Sequence, residues 1–342
     1  MSGRDNTDEP AWLLRWLWAM ALSCVLMVAL GGLVRLTHSG LSMVDWQPVS
    51  GVLPPLSSDA WQAAFDAYQQ TPEYQQVNAG MSLADFQMIF WPEFIHRILG
   101  RIVGLIVAVP LIVGLLRGLF PGRLRIHLVG IGLLFVAQGV MGWLMVKSGL
   151  VDDPKVSPYR LALHLALALT LLAWCLWLIF ERRWPPAVGT ADRSISRLAQ
   201  GLLAVVVVQI LFGALVAGHR AGYVSATFPK IHGHWIPEGL GRDPSWWANI
   251  VANPLTLHFE HRWLAFVALA LAFALYYRLR QSKSPATLRR AGTALLCALH
   301  LQIALGIATI LTFVPIWLAS LHQMGAIAVL GCSWLIVQQT RR

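Results

Sequence analysis

Four histidines stand at matching places in long apolar runs. His96 lies in "WPEFIHRILGR" (91–101), His164 in "YRLALHLAL" (159–167), His261 in "LTLHFEHRWLAF" (255–266) and His322 in "LASLHQMGA" (318–326). The first and third share a Phe-x-His-Arg core, Phe94 to Arg97 and Phe259 to Arg262. Ionisable groups are costly inside a bilayer and tend to mark function there. A single membrane histidine is commonly a hydrogen-bonded packing residue, but four at equivalent positions ask for a shared chemistry. Two neutral imidazoles facing each other across a helical bundle suit axial ligation of a haem iron. That reading gives two bis-histidine sites, one in each half of the chain. Zinc or copper would want a tighter cluster with a thiolate or carboxylate.

The neighbours of these histidines carry further chemistry. Arg35, Arg97, Arg101 and Arg262 fall near the same layer. A guanidinium binds a carboxylate such as a haem propionate bidentately, although an arginine there can also snorkel to the headgroups. Arg97 and Arg262, each following its histidine, are the stronger candidates, with Arg35 beside them. Gly100, Gly104, Gly139 and Gly142 offer room for a planar macrocycle. Glu93 precedes His96 by three residues, which places both on one helix face. Pro92 before it predicts an early helix position, where the helix dipole alone would favour a carboxylate. Aligning His96 with His261 sets Glu93 opposite His258, so the second half lacks an acid at that position. Equal ligands with unequal neighbours suggest that one site does chemistry and the other moves electrons. His38, His127, His219, His232 and His234 receive no role, and His300 is expected to be buried and hydrogen-bonded.

The elements that must position these residues follow from composition. The chain has 342 residues, 57% hydrophobic and 12% charged, where soluble domains carry roughly a quarter charged residues. The fold class predicted is an all-α integral membrane protein. Apolar runs of the roughly 20 residues a bilayer needs fall near 12–36, 93–116, 126–147, 160–180, 196–218, 256–278, 289–312 and 317–339. The net charge of +10 comes from Arg and Lys clusters between alternate spans, the last at Arg341 and Arg342, so nucleic acid is not an expected partner. Residues 36–96 contain no Lys or Arg. The positive-inside rule then puts both termini in the cytoplasm and the four histidines near the outer, periplasmic face of an inner membrane. The acidic start "MSGRDNTDEP" is unlike a transit peptide, and the run after it reads as a retained first helix. Four cysteines lie in apolar runs without a CxxC pair, which indicates neither disulfides nor a thiolate metal site.

The chain also repeats itself. "GGLVRLTHSG" (31–40) resembles "GALVAGHRAG" (213–222), and "QGVMG" (138–142) resembles "QIALG" (302–306). Eight transmembrane helices then form two pseudo-symmetric four-helix bundles, residues 1–185 and 186–342. A long outer loop spans 37–90. Within it Trp61, Phe65 and Tyr68 line one helical face suited to the membrane surface. Trp235, Trp246 and Trp247 in the second outer loop suit the interfacial aromatic belt.

Taken together, "GGLVRLTHSGLSM", "EFIHRILGR", "QGVMGWLMVKSGL", "LVAGHRAGYVSATFP", "LQIALG" and "SLHQMGA" resemble the haem A synthase family of proteobacteria and mitochondria, over nearly the whole chain. The resemblance implies oxidation of the C8 methyl of haem O to the formyl group of haem A, for cytochrome oxidase biogenesis. It implies that His96 and His164 hold the substrate haem, that His261 and His322 ligate haem B, and that Glu93 is the functional glutamate. A cysteine pair of another branch of the family has no counterpart in the outer loops here. With both histidines bound, the substrate iron has no free position. Either a ligand leaves, or electrons are withdrawn from the methyl and water attacks the resulting cation, with Glu93 stabilising it or taking a proton.

Expected partners are the lipid bilayer, an electron acceptor, a haem O synthase handing over its apolar farnesylated product, and a further copy of the chain in a homo-oligomer. Two rivals remain at this stage. A bis-histidine cytochrome passing electrons between quinol and a periplasmic partner needs no Glu93. A transporter of parallel repeats would place its polar groups near the midplane instead.

Overall fold

The computed structural model describes residues 9–45, 51–150, 154–185 and 192–341. The start of the chain through residue 8, and Arg342 of the last basic cluster, lie outside the described residues. Among the described residues there are eleven α-helices and no strand, only an isolated bridge between Ile231 and His234. Eight helices are long and apolar enough to cross a membrane: α1 (Leu13–Leu36), α4 (Leu83–Leu116), α5 (Gly122–Lys147), α6 (Pro158–Arg183), α7 (Arg193–Gly218), α9 (Pro254–Gln281), α10 (Ala286–Leu311) and α11 (Ile316–Thr340). This is a multi-pass, all-α membrane protein. Three short helices, α2 (Ser58–Gln69), α3 (Pro72–Gln76) and α8 (Trp246–Val251), lie in the two long connections.

Local chemistry sets where the key helices begin. Asn253 caps α9 through the amides of Leu255 and Thr256, with Pro254 at the first helical position, where its missing N–H costs nothing. Ser82 and Asp85 form a reciprocal capping box on α4. The helix it opens begins ten residues before the apolar run predicted at 93, so α4 has 34 residues and is about 50 Å long. A hydrocarbon core is only about 30 Å thick. Glu93 is therefore not an early residue of its helix. It is the eleventh, beyond the reach of the N-terminal dipole, and Pro92 sits inside the helix rather than at its start. Proline was read as a boundary, and here the capping box upstream outweighs it.

The extension of α4 explains the long connection between α1 and α4. Phe65 and Tyr68 of α2 are buried against Phe86, Phe90 and Phe94 of α4, with Trp61 packed edge-on to Phe90 at 4.9 Å. The aromatic face of α2, expected to lie on lipid, is spent on this protein core. Each fully buried ring is worth roughly 1.5–3 kcal/mol. Tyr68 donates to Glu73 at 3.0 Å and accepts from Asn78 at 2.8 Å, and its burial pushes the phenol pKa up. Trp235, Trp246 and Trp247 of the second connection are exposed.

The chain divides into two compact units, Met1–Ile179 and Phe180–Arg342; the sequence reading set the division at the end of α6 rather than within it. In the first, α1 packs on α4 and α4 on α5, and α6 meets α5 where Trp174 Nε1 donates to His127 Nδ1 at 3.2 Å. In the second, α7, α9, α10 and α11 pack in a closed ring. Matching turns end α1 and α7. His38 and Arg220 are both left-handed at φ +54°, and their amides bond back to Arg35 and Ala217, each at 3.2 Å. By this register, as in the aligned repeat, His38 matches Arg220.

Candidate functional site

Each of the four histidines is seated on a glycine of the preceding long helix. A Cβ added to Gly31 of α1 would stand 3.3 Å from Cε1 of His96 on α4, and one added to Gly142 of α5 would stand 3.2 Å from Cε1 of His164 on α6. In the second unit Gly213 of α7 faces His261 of α9 at 3.0 Å, and Gly306 of α10 faces His322 of α11 at 2.9 Å. These distances leave no comfortable room for a methyl group, so glycine is what lets each imidazole lie between two helices. The sequence reading named only Gly142 of this set. Of its other candidates, Gly100 faces Met27, Gly104 faces Phe135, and Gly139 faces nothing within 4 Å.

One turn before three of these glycines stands a glutamine. Gln138 Nε2 lies 3.3 Å from His164 Nε2. Gln209 Nε2 donates to the backbone carbonyl of His261 at 2.9 Å and lies 3.5 Å from its Nε2. Gln302 Nε2 donates to the carbonyl of His322 at 2.8 Å, while His322 Nδ1 bonds to the carbonyl of Gln302 at 3.1 Å. The amide oxygens of all three glutamines are buried without a partner. The glycine seat thus occurs four times and the glutamine three, with Met27 standing where the glutamine would be before Gly31.

The paired imidazoles fit a haem. His96 and His164 stand on α4 and α6 of the first unit, each against its glycine. The rings of His261 and His322 are 6.3 Å apart, centre to centre. A metal–imidazole bond of about 2 Å sets ring centres about 6 Å apart across the metal, although an edge-to-face ring pair has similar spacing. The donors and the glycine cradles therefore carry the fit. Nδ1 of His96, His164 and His261 is buried without a partner, as are Nε and Nη1 of Arg262. Buried donors of this kind are rarely left unpaired. Among the described residues no group of three or more His, Cys, Asp or Glu side chains could hold a bare metal ion.

Glu93 and Arg97 form a latch around His96, one three residues before it and the other directly after it. Glu93 Oε2 accepts from Ser42 Oγ at 2.7 Å and from the amide of Met43 at 3.0 Å. Glu93 Oε1 pairs with Arg97 Nη2 at 2.5 Å, and both side chains are largely buried. Arg97 also donates to the carbonyls of Met43 (2.9 Å) and Asp45 (3.0 Å). A carboxylate has about four acceptor sites, and three are taken. The second unit keeps one bond of this latch: Arg262 Nη2 donates to the carbonyl of Ser225 at 3.3 Å, and Ser225 is the counterpart of Met43 in the repeat. Opposite Glu93 stands His258, buried with neither ring nitrogen partnered. Glu260, beside His261 and given no role by sequence, has a buried, unpartnered Oε2.

The family model for the cytochrome oxidase assembly protein matches residues 14–334. The chain belongs to this family. It is 43% identical over 340 residues to the haem A synthase of Paramagnetospirillum magneticum, covering 96% of this chain and 93% of that one. It is 41% identical over 330 residues to the haem A synthase of Nitrosospira multiformis, with 96% and 93% covered. To that of Rhodopseudomonas palustris it is 44% identical over 317 residues, with 92% and 87% covered.

Within this family member, the structure gathers His96, Glu93 and Arg97 into one neighbourhood with the residues after α1, and His261, His322 and Arg262 into another. Arg35 sits in the last turn of α1. His300 is hydrogen-bonded, its Nδ1 2.8 Å from the Leu296 carbonyl, but exposed rather than buried. The four cysteines are free. Sequence reasoning missed Gly31, Gly213, Gly306 and the three glutamines as site residues. The signal was present as Gln-x-x-x-Gly at 138–142, 209–213 and 302–306, noted at two places only as a marker of repetition.

Proposed function

We propose that the chain converts haem O to haem A, oxidising the C8 methyl of the substrate to a formyl group for cytochrome oxidase biogenesis. His96 and His164 hold the substrate, and His261 and His322 hold haem B. The observation that carries this reading is the glycine-seated imidazole, repeated twice in each unit of a chain whose relatives are haem A synthases. Haem B, when bound, supplies one-electron transfer. Arg262, with two buried and unpartnered nitrogens, is the best-supported propionate contact. Arg97 and Arg35 remain the candidates in the first unit, where Arg97 already holds the latch.

Glu93 gives the first unit its chemistry. Its charge, kept in place by Arg97, Ser42 and Met43, stabilises positive charge developing at the substrate methyl. Each of two rounds takes two electrons and one proton from the substrate methyl and adds hydroxide from water, whose other proton is released, so that two electrons and two protons leave in all. The resulting geminal diol loses water to give the aldehyde. The Ser42 hydroxyl, bonded to Glu93, provides the nearest proton path, and the electrons leave to a separate acceptor. Both termini lie in the cytoplasm, the histidines lie near the periplasmic face of the inner membrane, and a haem O synthase delivers the substrate.

The test is pigment analysis. Wild type and Glu93→Ala are expressed with a haem O source, purified in mild detergent, and extracted for chromatography with mass detection. Wild type is expected to yield haems B, O and A, and the variant haems B and O only. Haem B alone in both would favour an electron-carrying cytochrome, and no haem in either would overturn the histidine sites.

A further inference from the structure

Three of the four imidazoles have a glutamine one turn below the glycine on which they rest, and the fourth does not. A histidine bound to a metal through one ring nitrogen donates its other N–H to a neighbouring acceptor, which fixes the ring. Gln138 and Gln209 each bring a side-chain amide to Nε2 of their histidine, at 3.3 and 3.5 Å, and each keeps a buried amide oxygen without a donor. Gln302 holds His322 through both its side chain and its backbone. At His96 the same place is taken by Met27. Its methyl carbon would lie 3.7 Å from a Cβ added to Gly100, one helical turn inward of His96. A thioether offers no N–H and only a weak acceptor. From this position His96 accordingly receives no side-chain amide, where each of the other three histidines does.

We propose that Met27 makes His96 the exchangeable ligand of the four, and that Gln138, Gln209 and Gln302 are positioning residues that hold the other three imidazoles in place. This rests on the haem assignment above. His96 is also the ligand on the helix that carries Glu93, so its departure opens the substrate iron on the side where the carboxylate stands. The two units then differ in a property that ligand identity does not reveal. Both present two histidines, but only the first presents one that can be displaced.

The experiment is carbon monoxide binding to the reduced, haem-loaded protein in detergent, with haem content measured first. A preparation without haem would contradict the ligand assignment itself and is distinguished at that step. With haem present, wild type is expected to bind carbon monoxide at one site, shifting part of the Soret band. Met27→Gln supplies the missing amide and should weaken that binding about 10–100-fold, the usual reach of an outer partner of a metal ligand. Met27→Leu, of similar shape without an amide, should behave as wild type. Gln209→Met should make the second site reactive as well, which keeps the test decisive if Met27→Gln does not fold. Wild-type haem wholly inert to carbon monoxide, or equal binding in wild type and Met27→Gln, would overturn the proposal. So would a Gln209→Met protein whose second site stays inert.

Discussion

The regions around His96 and His261 are built on one plan and completed differently. In both, an arginine following the histidine reaches the backbone carbonyl of the connection that leaves the previous helix, Arg97 to Met43 and Arg262 to Ser225. In the first unit a buried carboxylate completes the arrangement with three more hydrogen bonds, drawing the chain after α1 onto α4. In the second the same position holds a histidine with no partner, and two arginine nitrogens remain unpaired. A shared set of histidines therefore comes with different surroundings. The first unit uses its arginine to fix a carboxylate beside His96, and the second leaves two nitrogens of its arginine without a partner.

The sharpest way to break this comparison is to alter the two opposed residues in parallel. Glu93→Gln should lower haem A formation at least about 100-fold, the scale of a lost charge or proton-transfer group. His258→Gln should leave haem A formation within a few-fold of wild type; pigment chromatography reads both. Arginine removal separates the units energetically. Arg97→Ala leaves a buried carboxylate without its cation and should cost about 3–5 kcal/mol, seen as a lower midpoint in thermal unfolding in detergent. Arg262→Ala removes a single carbonyl bond, about 0.5–1.5 kcal/mol, and should show instead as weaker retention of haem B. Gly306→Ala places a methyl 2.9 Å from His322 and should cost about 1–3 kcal/mol by overpacking, with haem B partly lost on purification. Gly139→Ala meets nothing within 4 Å and should keep full haem content. Ser42→Ala removes one of three donors to Glu93 and should lower stability by about 1 kcal/mol, read by the same thermal unfolding.

The spans were legible in the sequence because length and apolarity alone define them, and the four histidines were legible because charge is rare in such runs. The glycine cradles were half visible. Gly31 and Gly213 lay inside the recognised repeat, but which glycine faces which ring depends on how two helices are rotated, and that is decided by packing across the bundle. The extension of α4 was hidden for a different reason. Residues 83–92 are only moderately apolar and end in Trp91-Pro92, which reads as a boundary. What keeps them helical is the capping box at Ser82 together with aromatic packing against α2, and a packing partner some twenty residues away leaves no periodic mark. For the same reason the aromatic face of α2 looked like a membrane-surface helix. An amphipathic pattern says that a face is buried, not against what. The engagement of Glu93 with Ser42 and Met43 joins segments fifty residues apart, which no local motif announces.

The central claim is that the two units hold different haems for different purposes. The most direct measurement is the pigment content of His164→Ala and His322→Ala, purified in parallel from cells supplying haem O, with thermal unfolding to confirm that each is folded. The account predicts that His164→Ala keeps haem B and loses haems O and A, whereas His322→Ala loses haem B and keeps haem O. Loss of the same pigment from both variants would contradict it.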